Sequence, residues 1–309
     1  MRRFFAILLF VVVALTGLAQ HPKMTRNRVM FGVGFGGNSF AQDWNLFYPS
    51  TVGGNLRGSV GYLYYINYNF GLYGGLDFAY AGGGYHADRY TSESQGFIEV
   101  SDGVNVMTIP STFTITTEDV KERYHSLMLA VPVLVHIQTY SRSPVFFRGG
   151  LKLAVPLTLS ATYTYGHSEM GVGGEIDGTG TMLEDIIPRV EHDEVSGVYD
   201  ARLSSPVQVL GSLEAGWMYR KRSRHVHPYG SRLRRNYYIF GFSTYLDFSL
   251  WETSVASSSS NGLVSYANGS WHFSNCLQSD MVRRMGSVSL GLRFTWDFGF
   301  GADAPQKHR

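Results

Sequence analysis

The sequence predicts an all-β protein, a transmembrane antiparallel up-and-down β-barrel of eight strands. Its 309 residues include 15 % aromatic residues and 36 glycines, but only 16 % charged residues, against a usual ~25 %. Several segments alternate apolar residues with small or polar ones at a period of two, as strands of a barrel wall do. Short connections also alternate with long ones along the chain, which is the pattern of periplasmic turns and surface loops.

Composition excludes several other classes of protein. Disordered chains lack the apolar and aromatic content seen here, and the many glycines disfavour a helical bundle. After the first 19 residues, no stretch approaches the 18 continuous apolar residues of a membrane-spanning helix. The single cysteine, Cys276, excludes an intramolecular disulfide. A net charge of +2 gives no sign of nucleic-acid binding.

The amino terminus reads as a secretory signal peptide. Arg2 and Arg3 precede an apolar run from residue 4 to residue 15, and the small residues Gly17 and Ala19 occupy the −3 and −1 positions of a cleavage site. We therefore predict a signal peptide over 1–19, cleaved after Ala19, a barrel with long surface loops over 20–298 and a periplasmic tail over 299–309. The expected location is the cell outer membrane.

The alternation is clearest in the last strand, where Val288, Leu290 and Phe298 share one face and Ser289 and Arg293 the other. In the fifth strand the same rule places Leu157 and Leu159 toward lipid, and Thr158, Ser160 and Thr162 inward. The predicted strands are Val29–Phe35, Leu56–Ile66, Phe70–Tyr80, Leu127–Ile137, Val145–Tyr165, Val207–Tyr219, Tyr238–Leu250 and Ser287–Phe298.

The predicted connections leave two alternatives open. Residues 81–123 and 166–206 are expected to be long surface loops, but 97–117 could form an extra hairpin, and a barrel that included it would have ten strands. A soluble β-barrel would alternate in the same way with its faces reversed. The polar face argues against it, because Gly, Ser and Thr dominate there and make a poor solvent surface.

The chain resembles the small outer-membrane β-barrels of OmpA type, through its signal peptide, its Gly- and aromatic-rich strands and a last strand ending in Phe298. The segment Leu129–Val135, with Pro132 at its centre, is similar to the apolar-Pro-apolar strand of PorT-like barrels of the Bacteroidota. The resemblance implies an outer-membrane location and permits an accessory role in protein secretion. Only 299–309 follow the predicted barrel, so no peptidoglycan-binding domain is expected.

Ionisable residues on the predicted inner face are balanced in charge. An eight-stranded barrel is only wide enough inside for side chains, and buried charges persist when they are paired. We therefore expect an ion-pair network that closes the lumen; a gated narrow channel through the same charges is the alternative. The candidate residues are the acids Asp77, Glu214, Asp247 and Asp297, the bases Arg57, Arg148, Lys152 and Arg293, and His136.

The expected function is non-enzymatic: envelope structure, or surface interaction through the loops. An enzyme would use His136 with Asp77 or Asp247, but no spacing specifies such a site. The loop 166–206 carries nine acids against two arginines, and could recruit divalent cations or a basic partner. The stretch 220–235 carries seven Lys and Arg residues and could touch anionic lipid or an acidic partner. We expect a monomer in outer-membrane lipid, with possible partners at 81–123 and 166–206, no nucleic acid, no cofactor and no metal.

Overall fold

The computed structural model describes residues 25–42, 50–101, 106–139, 143–173, 183, 187, 189–222, 237–256, 263–267, 270–278 and 282–303. The predicted signal peptide 1–19 and residues 304–309 of the predicted tail lie outside these residues. The basic stretch 220–235 is described only as far as Arg222. The cleavage after Ala19 therefore stays a prediction.

The described chain is built from antiparallel strands. In chain order they are β1 (Thr25–Gln42), β2 (Ser50–Tyr65), β3 (Phe70–Ser101), β4 (Val106–Gln138), β5 (Val145–Tyr165), β6 (Ser168–Gly173), β7 (Val190–His192), β8 (Val195–Asp200), β9 (Leu203–Ser205), β10 (Gln208–Arg222), β11 (Tyr237–Trp251), β12 (Thr253–Val255), β13 (Val264–Ala267), β14 (Ser270–Phe273) and β15 (Arg284–Asp303). Among the described residues, no helix is long and apolar enough to cross a membrane.

Eight of these strands close into a ring, in the order β1, β2, β3, β4, β5, β10, β11, β15 and back to β1. Closure joins the first strand to the last, with Val29 opposite Phe298 and Phe35 opposite Leu292. Closing the sheet removes the unpaired edges that an open sheet would present. The predicted eight-stranded antiparallel up-and-down barrel is confirmed.

The ten-strand alternative is wrong. Residues 90–101 and 106–117 do pair with each other, with Phe97 opposite Pro110 and Ser94 opposite Phe113. They do so as the far ends of β3 and β4, which extend beyond the ring as an arm. The hairpin adds no strand to the wall, because the ring passes directly from β3 to β4.

The two segments expected to be long loops contain further strands. Residues 81–101 and 106–123 continue β3 and β4, while 166–206 contains β6 to β9. β6 pairs with the arm, Met170 opposite Ile115, and β8 pairs with the end of β5, Tyr199 opposite Ala161. Alternation is weak here because polar residues occupy both faces of the arm, so periodicity indicated strands only within 97–117.

The orientation predicted for the end of the fifth strand is also wrong. Across the β4–β5 pair, Leu127 lies opposite Thr158 but Met128 lies opposite Pro156, so β5 holds an extra residue at this point. This bulge shifts the alternation by one. Leu159 is consequently buried, and Thr158 and Thr162 are exposed on the outer face.

The outer face of the ring is apolar on all eight strands. We call its exposed large residues the apolar band, and each of them is between 37 % and 66 % exposed. Its members are Phe31, Val33, Phe35, Leu56, Val60, Tyr62, Leu72, Leu76, Phe78, Tyr80, Leu127, Val131, Val133, Val135, Val145, Phe147, Leu151, Leu153, Leu157, Leu213, Trp217, Tyr219, Phe240, Leu250, Trp251, Val288, Leu290, Phe294, Trp296 and Phe298.

The band stops before the strands do at one end of the barrel, the long-loop end, which lies opposite the short turns at 66–69 and 139–144. On β4 the outward side chains beyond Leu127 are His125, Arg123 and Lys121. On β5, beyond Leu157, they are polar. The strands therefore continue past the apolar band by several residues.

Candidate functional site in the barrel interior

The structure places all nine predicted interior residues inside the ring. They come from seven strands, and each is at most 5 % exposed. Burial of ionised groups is costly unless each one has a partner. The arrangement of their contacts therefore decides what this interior can do.

Glu214 on β10 is the centre of one group of contacts. Its Oε2 accepts hydrogen bonds from Nη1 of Arg293, at 3.0 Å, and from Nη1 of Arg148, at 3.3 Å. Its Oε1 accepts one from the Ser243 hydroxyl at 2.7 Å. One carboxylate therefore holds guanidinium groups from β5 and β15, which lie on opposite sides of β10 and β11 in the ring.

Lys152 on β5 is the centre of a second group. Its Nζ donates to Asp77 Oδ2 at 2.9 Å and to Asp247 Oδ2 at 3.0 Å. Asp247 also pairs with Arg57, whose guanidinium lies 4.3 Å from the centre of the Tyr245 ring. These contacts connect β2, β3, β5 and β11 across the interior.

Arg293 connects the two groups. Besides Glu214, its Nη2 donates to the Tyr73 hydroxyl at 3.1 Å and to the Ser59 hydroxyl at 2.6 Å. The same Nη2 lies 3.9 Å from Asp77 Oδ1. The seven charged residues of the two groups, Glu214 and Lys152 included, thus form one continuous network across the interior.

His136 is a neutral hydrogen-bonding residue in this network. Its Nδ1 accepts a hydrogen bond from Nε of Arg148 at 3.0 Å, and an arginine can only donate. The proton must then be on Nε2, which lies 3.2 Å from the Tyr65 hydroxyl. The acids considered as its catalytic partners, Asp77 and Asp247, bind Lys152 instead.

Asp297 lies apart from the central network, near the short-turn end. Its Oδ2 is 3.9 Å from Nη1 of Arg28, a residue that the sequence interpretation missed. Arg28 is 2 % exposed and has the same parity as Met30 and Gly32 on the inner face. The predicted strand began one residue too late, at Val29, and carrying the alternation back one position would have found it. With Arg28, this set has five bases and four acids besides His136, and the described residues include two further buried acids, Glu122 and Glu252.

The long-loop end of the interior is closed by apolar residues. The connection between β12 and β15, described at 263–267, 270–278 and 282–283, folds into the barrel opening, and we call it the mouth segment. Its Leu263, Cys276 and Leu277 are each at most 1 % exposed. They belong to the same cluster as Phe40, Tyr124, Met128 and Leu159 of the barrel wall.

A buried acid on β4, Glu122, holds the mouth segment in place. Its carboxylate accepts hydrogen bonds from the Tyr124 hydroxyl at 2.6 Å and from the Cys276 backbone N–H at 2.9 and 3.1 Å. Glu122 lies beyond the apolar band, and burial raises the pKa of its carboxyl above the ordinary value. Burial likewise raises the pKa of the Cys276 thiol. Sequence interpretation missed this site because Glu122 fell within a predicted loop.

Tyr165 adds a further contact between Glu122 and the mouth segment. Its hydroxyl lies 2.7 Å from Glu122 Oε1 and 2.6 Å from the Ser274 carbonyl oxygen. A hydroxyl has one proton to donate, so it donates to one of these two oxygens at a time. The Tyr165 hydroxyl therefore joins the buried acid of β4 to the backbone of the mouth segment.

No group of three or more His, Cys, Asp or Glu side chains suited to a metal ion occurs within the described residues. The acidic segment 166–206 is described in part, and its Glu169 forms an exposed ion pair with Arg189. The interior is a set of mutually paired charges between an apolar mouth and the short-turn end.

Comparisons with solved structures find similarity to this chain only at low identity and low TM-score. Ail, the attachment invasion locus protein of Yersinia pestis, is 11 % identical, with 87 % of this chain and 99 % of that chain covered and a TM-score of 0.26. A TodX monoaromatic hydrocarbon channel mutant is 9 % identical, with 90 % and 91 % covered and a TM-score of 0.21. The translocator domain of the autotransporter NalP from Neisseria meningitidis is 9 % identical, with 96 % and 95 % covered and a TM-score of 0.19.

TM-scores this low do not indicate a family or a function for this chain. No family model matches the chain, and no curated protein matches it. The resemblance to OmpA-type and PorT-like barrels therefore stays a prediction.

Proposed function

We propose that this protein is an integral outer-membrane β-barrel without enzymatic activity, with a lumen closed by ion pairs and a surface role at its long-loop end. The apolar band carries this proposal. Soluble monomers rarely expose contiguous apolar patches larger than a few hundred Å², whereas the band continues around all eight strands. A barrel in lipid exposes this kind of outer surface.

Aromatic residues at both edges of the band support the same location. Trp217, Trp296 and Phe298 lie toward the short turns, and Tyr80 and Trp251 lie toward the long-loop end; each is at least 42 % exposed. Tryptophan and tyrosine favour the boundary between hydrocarbon and water. We propose that these rings lie at the two interfaces of the bilayer.

Insertion into lipid tests the membrane proposal. The mature chain, refolded from urea with phosphatidylcholine vesicles, is expected to float with the vesicles in a density gradient. Its barrel strands should also resist added protease. Recovery of a folded, monodisperse chain in buffer without lipid or detergent would contradict the proposal.

The proposed closure of the lumen favours a structural or surface role over transport. Salt bridges from Arg57, Lys152, Arg148 and Arg293 cross the interior, and the mouth segment covers its long-loop end. The rival function, a narrow gated channel, is favoured by one observation: Lys152 and Glu214 each hold two partners of opposite charge. Exchange among those partners would be needed to open a path.

The surface role belongs to the strands beyond the apolar band. The arm of β3 and β4 presents exposed residues such as Phe97, 72 % exposed, and β8 presents Val198, 73 % exposed. Both lie in the segments 81–123 and 166–206, where we propose that a surface ligand or protein partner binds. Cross-linking on intact cells should capture such a partner through cysteines placed at these positions, and not through cysteines in the apolar band.

A further inference from the structure

A groove on the outer wall lies at the border of the apolar band. It has a volume of about 510 Å³ and is formed where β2, β3 and β4 run side by side near the long-loop end. Its floor is largely glycine, including Gly54 and Gly82. None of its residues belongs to the interior network around Glu214 and Lys152.

An irregularity in the β2–β3 pairing creates the groove. The pairing runs from Val52 opposite Gly83 directly to Asn55 opposite Ala81, and so skips Gly53 and Gly54 on β2. A side chain at Gly53 could not be accommodated, because its Cβ would lie 2.5 Å from the Gly82 backbone. A Cβ at Gly54 would meet nothing within 4 Å. The absence of side chains here leaves the wall open beside the band.

The two ends of the groove differ in chemistry. Toward the middle of the apolar band it is lined by Leu56, 63 % exposed, and by the ring of Tyr80. Toward the long-loop end it is lined by His125 and the exposed Arg123. The Tyr80 hydroxyl and His125 Nδ1 are joined by a hydrogen bond of 2.7 Å. Leu56 and Tyr80 thus lie on the membrane side, and the cation Arg123 lies on the water side, where the exposed Val52 also lines the groove.

Arg123 is not committed to a carboxylate of the protein. The outward cation two residues along the same strand, Lys121, pairs with Asp119. No carboxylate among the described residues forms such a pair with Arg123, so its guanidinium can bind an external anion. Guanidinium groups bind phosphate with two parallel hydrogen bonds.

We infer that this groove binds the phosphate headgroup of an anionic membrane lipid, with Arg123 on the phosphate and the first part of an acyl chain against Leu56 and Tyr80. The inference rests on the proposed membrane location. It adds a defined lipid site to a wall that would otherwise contact lipid without selection. A cation at the membrane surface contributes about 1 kcal/mol to binding of anionic lipid, which corresponds to roughly a fivefold preference.

Spin-labelled lipids test the site in the intact barrel. The refolded mature chain in phosphatidylcholine vesicles receives spin-labelled phosphatidic acid or spin-labelled phosphatidylcholine, and the motionally restricted fraction of each is measured. The wild-type barrel should restrict phosphatidic acid about fivefold more strongly than phosphatidylcholine. Arg123→Gln should abolish this preference, and the matched variant Lys121→Gln should retain it.

A second variant separates the shape of the groove from its charge. Gly54→Leu fills the groove while Arg123 remains, and should also abolish the preference. Flotation of every variant with vesicles is measured in parallel. Failure of the wild type to float removes the proposed membrane location and this inference with it. Flotation without a preference for phosphatidic acid, or a preference that survives Arg123→Gln, overturns the lipid site alone.

Discussion

Arg293 on β15 donates a hydrogen bond to Glu214 on β10 at 3.0 Å, and these two strands are not neighbours in the ring, because β11 lies between them. The contact therefore crosses the interior rather than running along the wall. Both side chains are 2 % exposed. An ion pair of this kind ties the barrel together and occupies its centre.

Removal of the Glu214 charge should destabilise the barrel strongly. Glu214→Gln leaves Arg148 and Arg293 without their shared carboxylate, and breaking a buried pair costs about 3–5 kcal/mol. Urea unfolding in phospholipid vesicles, followed by tryptophan fluorescence, measures the free energy of unfolding. The exposed pair of Glu169 and Arg189 supplies the control, since Glu169→Gln should cost about 1 kcal/mol or less. Equal losses of unfolding free energy in the two variants would show that the buried Glu214 stabilises the barrel no more than the exposed Glu169 does.

The Glu214 contacts should be energetically coupled to Arg148. A double-mutant cycle combines Glu214→Gln with Arg148→Met. Each single variant leaves a buried charge without its partner, whereas the double variant removes both partners and leaves fewer uncompensated charges. Coupling energies for residues in one salt-bridge network are about 0.5–3 kcal/mol. Additive losses within about 0.5 kcal/mol would mean that Arg148 and Glu214 act independently.

Closure of the mouth should weaken as pH rises. Burial raises the pKa of Glu122 in the folded protein above its unfolded value. Its stabilisation is therefore fully present below the unfolded pKa and is lost as pH rises through the folded pKa. The groups facing Glu122 are Tyr124 on β4, Tyr165 on β5 and Cys276 of the mouth segment.

Labelling of the single cysteine measures this effect. The rate of maleimide attachment to Cys276, divided by the rate for the unfolded chain at the same pH, should rise as Glu122 ionises. Glu122→Gln keeps a neutral hydrogen-bonding side chain and should remove that rise. An identical pH profile for both proteins would exclude Glu122 as its cause.

The bulge in β5 predicts opposite behaviour for two leucines that are two residues apart. Leu159 is 5 % exposed and belongs to the same buried cluster as the mouth segment. Leu157 is 52 % exposed in the apolar band. Leu159→Ala should cost about 2–5 kcal/mol of unfolding free energy through the cavity it leaves. Leu157→Ala faces lipid and should cost less than half as much. Similar losses of unfolding free energy in the two variants, or a larger loss for Leu157→Ala, would contradict the bulge and support unbroken alternation along β5.

Alternation along the strands was enough to predict the ring and the residues inside it, because in a closed barrel the parity of a residue determines its face. It failed where the backbone departs from that period. Pro156 was the available sign of the bulge, since proline inside a sheet is confined to edges and bulges. Arg28 was missed only because its strand was begun at Val29.

The mouth and the groove could not be predicted from periodicity. Glu122 and Cys276 are 154 residues apart in sequence, and only the path of a folded connection brings them together. Gly53 and Gly54 form part of a groove because of the way β2 pairs with β3, and the sequence of β2 alone does not show this pairing. These sites depend on contacts between distant segments, which a period of two does not encode.

The closed lumen is the central claim, and conductance tests it most directly. The mature chain, refolded and inserted into a planar bilayer, should give no steady current above the baseline of the lipid. The charges in its interior pair with one another, as Lys152 does with Asp77 at 2.9 Å, and we propose that these pairs block the passage of water and ions through the barrel. A steady conductance of the size shown by porins would contradict this account.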